Sequence, residues 1–316
     1  MLIMNYSLDN IFSLQSRKQY MGLAILWIMG YHFYLVQQSF FDNTFPIFRF
    51  LFRNGFVGVD IFFLLSAYGL CHSWEKSTIK SYAKKRFIKI IPIYILFLCI
   101  CKFILKIEDN FWSDSFLQIS SLSIFNTKYT NPVNMNGEWF VPAIINLYII
   151  FPFLFLFIKN VLIRYPKNGG YIVVFISILI AEFFKNFISL NYITRFPIII
   201  SGILTYLYLK NKDYRNLYGT YIFFAILSLL FIRVNLIFSL IIPLILKCIN
   251  DLNIKLNNKF LNFCGSISFE LYLSHIIPMN FCADKNIIVA LMIMIFGTLL
   301  LTFVFMKISS YIRNFV

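Results

Sequence analysis

Charge is what this sequence has least of. Only 13% of its 316 residues are Asp, Glu, Lys or Arg, against about 25% in an ordinary soluble chain. Acids are the scarcer sign, 13 against 28 bases, for a net charge of +15. Water cannot solvate a surface this apolar, which excludes an ordinary globular enzyme and a disordered chain alike. The basic excess does not indicate a nucleic-acid partner either, because in an apolar chain Lys and Arg mark the cytoplasmic loops of a membrane protein. The six cysteines (Cys71, Cys99, Cys101, Cys248, Cys264 and Cys282) form no CxxC pair and no Cys/His ligand spacing. No metal site is therefore expected, and the thiols read as small packing groups. No internal repeat and no Gly-, Ser- or Pro-rich linker divides the chain, so 1–316 reads as one integral-membrane domain. Met1–Ser16 is mixed and polar, and the first apolar run has no small-residue cleavage site behind it, so no cleaved signal is expected.

What is present is hydrophobic. Apolar residues make up 60% of the chain and aromatics 20%, and the mean hydropathy is +0.77. Stretches of ~17–22 apolar residues, each long enough to cross a bilayer as a helix, recur at 20–37, 52–72, 87–106, 139–159, 171–188, 193–210, 217–233, 235–250, 265–283 and 286–306. The pattern predicts an all-α fold, a polytopic membrane helical bundle of about ten transmembrane helices in the cell's cytoplasmic membrane. Basic residues supply an independent test. With the N-terminus inside, 19 of the 28 fall in inner segments, as the positive-inside rule requires. Both termini are then cytoplasmic.

An ionisable residue within a spanning helix is costly and is a functional candidate by default. Five qualify: His32, Asp60, Glu182, Glu270 and His275. At ~1.5 Å per residue, His32 stands ~18 Å above the cytoplasmic face, Asp60 at ~18–20 Å and His275 at ~15 Å, so three helices bring three groups to one level. Each also has a structural reading. A buried His can bond a backbone carbonyl, Asp60 can satisfy a helix neighbour beside Gly55 and Gly58, and Glu182 or Glu270 can pair with a nearby Lys. At the mouth of the third span stands Lys84-Lys85-Arg86-Phe87-Ile88-Lys89. It is either a membrane anchor at lipid phosphates or, with Arg86 and Lys89 on one helix face, a grip for the phosphates of a cytosolic donor. Arg195, in Arg195-Phe196-Pro197, either binds an outer-side polyol or acid or snorkels to the interface.

In order along the chain, these segments resemble the acyltransferase-3 family of integral-membrane O-acyltransferases. Gly22-Leu23-Ala24-Ile25-Leu26-Trp27-Ile28-Met29-Gly30-Tyr31-His32 is similar to the family's opening helix. Gly58-Val59-Asp60-Ile61-Phe62-Phe63-Leu64-Leu65-Ser66-Ala67 resembles its GVDxFFxLSG signature, with Ala67 for the last Gly. Lys85-Arg86-Phe87-Ile88-Lys89 is similar to its RRxxR run. Gly137-Glu138-Trp139 resembles its outer Trp segment, and Arg195-Phe196-Pro197 with Gly202 its R-x-P…G. Gly265-Ser266-Ile267-Ser268-Phe269-Glu270-Leu271-Tyr272-Leu273-Ser274-His275 resembles its G-x-I-S-Y-x-x-Y-L-x-H. One position departs: the family's Arg eleven residues before the catalytic His is Met21 here, with Arg17 and Lys18 one turn earlier.

The resemblance implies transfer of an acetyl group from acetyl-CoA to a hydroxyl of a cell-surface polysaccharide or its lipid-linked precursor. It implies His32 as the catalytic His, read here as general base; Asp60 is the candidate to fix its tautomer, and His275 or Tyr272 to donate to the oxyanion, with proton return as the other role open to His275. Lys85, Arg86 and Lys89 would hold the donor, and Arg195, Glu138 and Trp139 the carbohydrate or glycolipid acceptor. The bilayer, the acyl-CoA donor and the acceptor are the expected partners, and nucleic acid is not one. The readings from other classes are a transporter or flippase of lipid-linked sugars, whose polar residues would line a pathway, and a catalytically inactive family member.

Overall fold

A computed structural model describes residues 12–43, 46–105, 111–125, 139–188, 190–231 and 258–314. Among them every regular element is helical. The first half of the chain gives α1 (Leu14–Val36), α2 (Gln38–Asp42), α3 (Pro46–Arg53), α4 (Val57–Trp74), α5 (Ile79–Leu105), α6 (Phe111–Ile119) and a 3₁₀ turn, Leu122–Phe125. The second half gives α7 (Phe140–Arg164), α8 (Gly169–Phe184), α9 (Leu190–Ile193), α10 (Phe196–Lys210), α11 (Tyr214–Phe231), α12 (Lys259–Ser266), α13 (Ser268–Ser274), α14 (Ile276–Met279) and α15 (Ile287–Asn314).

Five helices among the described residues are long and apolar enough to cross a membrane: Pro46–Trp74, Ile79–Leu105, Phe140–Arg164, Asn191–Lys210 and Ile287–Ile312. Helices also stand where crossings were expected near 20–37, 171–188 and 217–233, as α1, α8 and α11. The stretch 235–250 lies outside the described residues, as does Cys248. The expected continuous helix over 265–283 is not there, because the segment is broken into α12, α13 and α14. Pro278 accounts for the later break, since its ring removes the N–H that would bond the Ser274 carbonyl and crowds the preceding turn.

α10 is the centre of the bundle. Every residue from Pro197 to Leu209 is buried, as befits a helix that is apolar on all sides. The helices around it keep apolar side chains on the outside, such as Phe103 on α5, Phe153 on α7 and Phe296 and Leu300 on α15. With no water-driven force between helices in a bilayer, association rests on close packing of small residues. A β-carbon on Gly22 would overlap the Leu261 carbonyl oxygen, and one on Gly265 would overlap that of Lys18. α1 and α12 thus cross backbone to backbone. Gly202 of α10 is pressed in the same way on Leu64 and Ala67 of α4.

These crossings sort the polar residues to two ends. Arg17 at the start of α1 lies with its guanidinium 5.3 Å from the Tyr68 ring near the end of α4. Glu75, just past α4, takes bonds from Lys210 and Tyr206 of α10. At this basic end also lie Lys76, Lys80 and Lys84–Lys89. The other end holds His32, Asp60, Trp139, Arg195 and His275, all in or beside the terminal turns of their helices. His32 is four residues from the end of α1, ~6 Å of helix rise, and Asp60 is the fourth residue of α4. His32 stands eighteen residues along α1 rather than twelve along the apolar run, because α1 begins six residues before that run.

Candidate active site

Two imidazoles meet where α1 passes the break in the C-terminal helix. His32 Nδ1 lies 2.8 Å from His275 Nε2, with the rings stacked at 5.0 Å and both buried. His275 Nδ1 is 3.1 Å from the carbonyl oxygen of Leu271, one turn back. A carbonyl only accepts, so a neutral His275 carries its proton on Nδ1 and offers a lone pair at Nε2. His32 must then donate from Nδ1, which leaves its Nε2 as a lone pair. The backbone carbonyl fixes one tautomer and, through it, the next. Tyr272 is edge-on to His275 with ring centroids 5.6 Å apart, and its other side lies 4.6 Å from Phe140. Tyr31 borders His32 at 5.5 Å.

The second unit is ionic. Arg195 Nε donates to Asp60 Oδ1 at 3.1 Å, with Asp60 only 2% exposed. Arg195 Nη1 donates to the Asn191 carbonyl at 2.9 Å and to Thr194 Oγ1 at 3.3 Å. Its guanidinium carbon sits 5.0 Å from the Trp139 ring centre, a cation–π contact. A buried carboxylate needs such a partner, and its place in the first turn of α4, toward the positive end of the helix dipole, adds to the effect. Sequence reading gave Asp60 the task of fixing the His32 tautomer. His32 Nδ1 donates instead to His275 Nε2, and the cation on Asp60 is Arg195, a pairing not foreseen because 135 residues separate the two. Arg195 is turned into the bundle and Trp139 covers it. Glu138 lies outside the described residues.

At the basic end, Lys85 and Lys89 are exposed and Arg86 turns inward, with its guanidinium carbon 5.9 Å from both the Tyr82 and Tyr148 rings. Arg86 and Lys89, three residues apart on α5, thus differ in burial. The Nε atoms of Arg86 and of Arg17 are both buried without a hydrogen-bond partner, so two guanidiniums among tyrosines keep donor capacity for an anion. Arg17 stands one turn before Met21, and its guanidinium lies against the Tyr68 ring. Glu182 pairs at the surface with Lys185, the residue just past the end of α8, and takes no part in the site. Glu270 is buried, with Oε2 unpartnered.

A neutral imidazole with a lone pair at Nε2, held by a second imidazole, can take a proton from a hydroxyl and return it. The distal basic and aromatic cluster suits a long anionic substrate whose reacting end reaches inward. Compared with known families, residues 22–309 match the model of an acyltransferase domain. No curated protein and no solved structure matches the chain.

Proposed function

The chain belongs to the acyltransferase-3 family, whose model covers residues 22–309, and from that premise we propose that this membrane acyltransferase moves an acetyl group from cytosolic acetyl-CoA to a hydroxyl of a cell-surface polysaccharide or its lipid-linked precursor. The observation that carries the reading is the His32–His275 hydrogen bond, which leaves His32 Nε2 unprotonated and available as the base. His32 Nε2 removes the proton of the acceptor hydroxyl as that oxygen attacks, and the resulting imidazolium keeps its Nδ1 proton, which it donates in a hydrogen bond to His275 Nε2. The proton on His32 then passes to the leaving sulfur. Tyr272, held edge-on beside His275, is the hydroxyl assigned to the developing oxyanion.

Acetyl-CoA supplies the activated acyl group as a thioester. The residues that fit its phosphates are Arg86 and Arg17, each with a buried donor to spare, with Lys85 and Lys89 at the entrance. From Arg17 to His32 is fifteen residues of one helix, ~22 Å, a gap that suits a donor whose head and reacting end lie far apart. The ion pair of Asp60 and Arg195 under Trp139 borders the acceptor side, and Glu138 belongs to the same outer segment. We place the basic end and both termini in the cytoplasm, with about ten crossings of the cytoplasmic membrane, since that arrangement puts 19 of 28 basic residues inside.

The test is transfer of labelled acetyl from acetyl-CoA to the glycan and glycolipid fraction by purified protein in liposomes. Label should appear with the natural chain and be lost in His32→Ala. A natural chain that moves no label, with unchanged surface acetyl content in cells carrying His32→Ala, overturns the proposal.

A further inference from the structure

A cavity of about 590 Å³ opens beside the His32 turn, within the ~300–1,000 Å³ common for small-molecule sites. Met29 and Phe33 line it from the turns of α1 that carry His32, Phe41 from α2, Phe52 from α3, and Leu291 and Met294 from α15. All ten lining residues are apolar. A sugar or a phosphate placed there would lose its hydrogen bonds to water and find none in return, so the occupant is hydrocarbon. Several wall residues are also partly open to the outside: Phe40 is 42% exposed, Phe48 50% and Leu291 42%. The cavity can therefore be entered sideways from the bilayer.

The rim says what is attached to that hydrocarbon. α3, Pro46-Ile47-Phe48-Arg49-Phe50-Leu51-Phe52-Arg53, exposes Ile47, Phe48, Phe50 and Leu51 and carries Arg49 and Arg53 four residues apart on one face. That is the make-up of the interfacial end of the Pro46–Trp74 span, where arginines attract anionic lipid. Lys285 precedes the α15 wall by two residues, and its carbonyl is tied to Gln37 at the end of α1, as is that of Cys282. Asp42 pairs with Arg49 at 3.2 Å and Asp284 is the other acid, so three cations face two anions. The balance favours a negatively charged link between chain and headgroup.

We infer that this cavity seats the hydrocarbon chain of a lipid-linked acceptor, a sugar joined to that chain through a phosphate, so that the sugar hydroxyl is presented to His32 from the bilayer side. The inference rests on the acyl-transfer reading above and narrows its acceptor to the lipid-linked form. The phosphate lies at the Arg49, Arg53 and Lys285 rim. The chain lies between α1 and α15. The donor comes from the opposite, basic end of α1, so the two substrates do not compete for one entrance.

Two measurements on the full chain in liposomes test it. In the first, a prenyl-phosphate-linked disaccharide bearing a diazirine on its prenyl chain is irradiated with the protein. Label is expected on peptides containing Phe33, Phe52 or Met294, displaced by unlabelled prenyl-phosphate disaccharide and not by acyl-CoA. Displacement by long-chain acyl-CoA instead, or by any bulk phospholipid equally well, overturns the assignment, as does label elsewhere. In the second, Leu291→Trp fills the cavity and acetyl transfer to the prenyl-phosphate disaccharide is compared with transfer to its methyl glycoside. The ratio of the two rates should fall at least tenfold. An equal fall for both acceptors overturns the lipid site while leaving acyl transfer standing, whereas a natural chain inactive on both acceptors, with crosslinking intact, counts against the acyl-transfer reading alone.

Discussion

His275 gives His32 an orienting hydrogen bond without bringing a charge into the bundle. A carboxylate in that place would need its own counter-ion in a low-dielectric site, whereas a neutral imidazole fixed by the Leu271 carbonyl needs none. His275→Leu removes the acceptor, frees the His32 ring to rotate, and should lower kcat by about 10²–10⁴. His275→Gln restores an acceptor oxygen and should recover at least tenfold of the loss, a rescue that a purely space-filling role would not show. Steady-state rates of acetyl transfer for the two variants decide it. The ion pair behaves differently. Arg195→Met leaves the 2%-exposed Asp60 carboxylate without its cation and should cost about 3–5 kcal/mol, read as a drop in the thermal midpoint in detergent. Adding Asp60→Asn to that variant should return most of the stability. If the double variant is no more stable than Arg195→Met, Asp60 is not the group being neutralised. His32, Asp60, Tyr272, Arg195 and His275 are all legible in the sequence, because ionisable or hydrogen-bonding groups in apolar runs stand out. Which one meets which is not, since the pairs span 135 and 243 residues and depend on helix rotation.

What brings the two histidines together is the crossing of α1 and α12 at Gly22 and Gly265. Lys18 and Leu261 offer rigid backbone oxygens to any added β-carbon, so Gly265→Ala must push the helices apart. It should weaken both folding and transfer, whereas Gly30→Ala meets only the Phe52 ring and should be tolerated far better. Comparable losses in the two variants, measured by thermal stability and acetyl transfer, would refute this account. The glycines are visible in the sequence as part of the family pattern, but that they face one another is not. The division of 265–283 into short helices was legible through Pro278 and was outweighed by the apolar run. At the opposite end of the bundle Glu75 joins α4 to α10. Burial alone would raise its carboxyl pKa, but the hydrogen bonds from Lys210 and Tyr206 outweigh that and hold it below its ordinary 4.5. A pKa depressed in the folded state contributes stability above the unfolded value and loses it as pH falls through the folded one. Glu75→Gln should therefore be less stable than the natural chain at pH 7, with the difference closing below pH 4.5. A difference independent of pH would mean the carboxylate charge is not what holds the two helices.

At the scale of the whole molecule, the scarcity of charge becomes an axis. One end gathers Arg17, Lys76, Lys80 and Lys84–Lys89, and the other gathers a neutral histidine pair, a compensated ion pair and an apolar cavity. Such polarity sets orientation in a bilayer, because the end rich in Lys and Arg is retained in the cytoplasm. On the proposed reading it would also separate the two substrates, a cytosolic polyanion meeting its cations at one end and a membrane-borne acceptor meeting His32 near the other. Orientation is therefore the premise on which the two-sided mechanism stands. Lys84 and Ala283 are both exposed and lie at opposite ends, so Lys84→Cys and Ala283→Cys report on it. The background carries serine at Cys99, the partly exposed one of the described cysteines, and at Cys248. A membrane-impermeant maleimide applied to intact cells should label Ala283→Cys and leave Lys84→Cys untouched until the membrane is opened. The reverse pattern would put the basic cluster outside, where cytosolic acetyl-CoA cannot reach it, and would overturn the assignment of Arg17 and Arg86 to the donor.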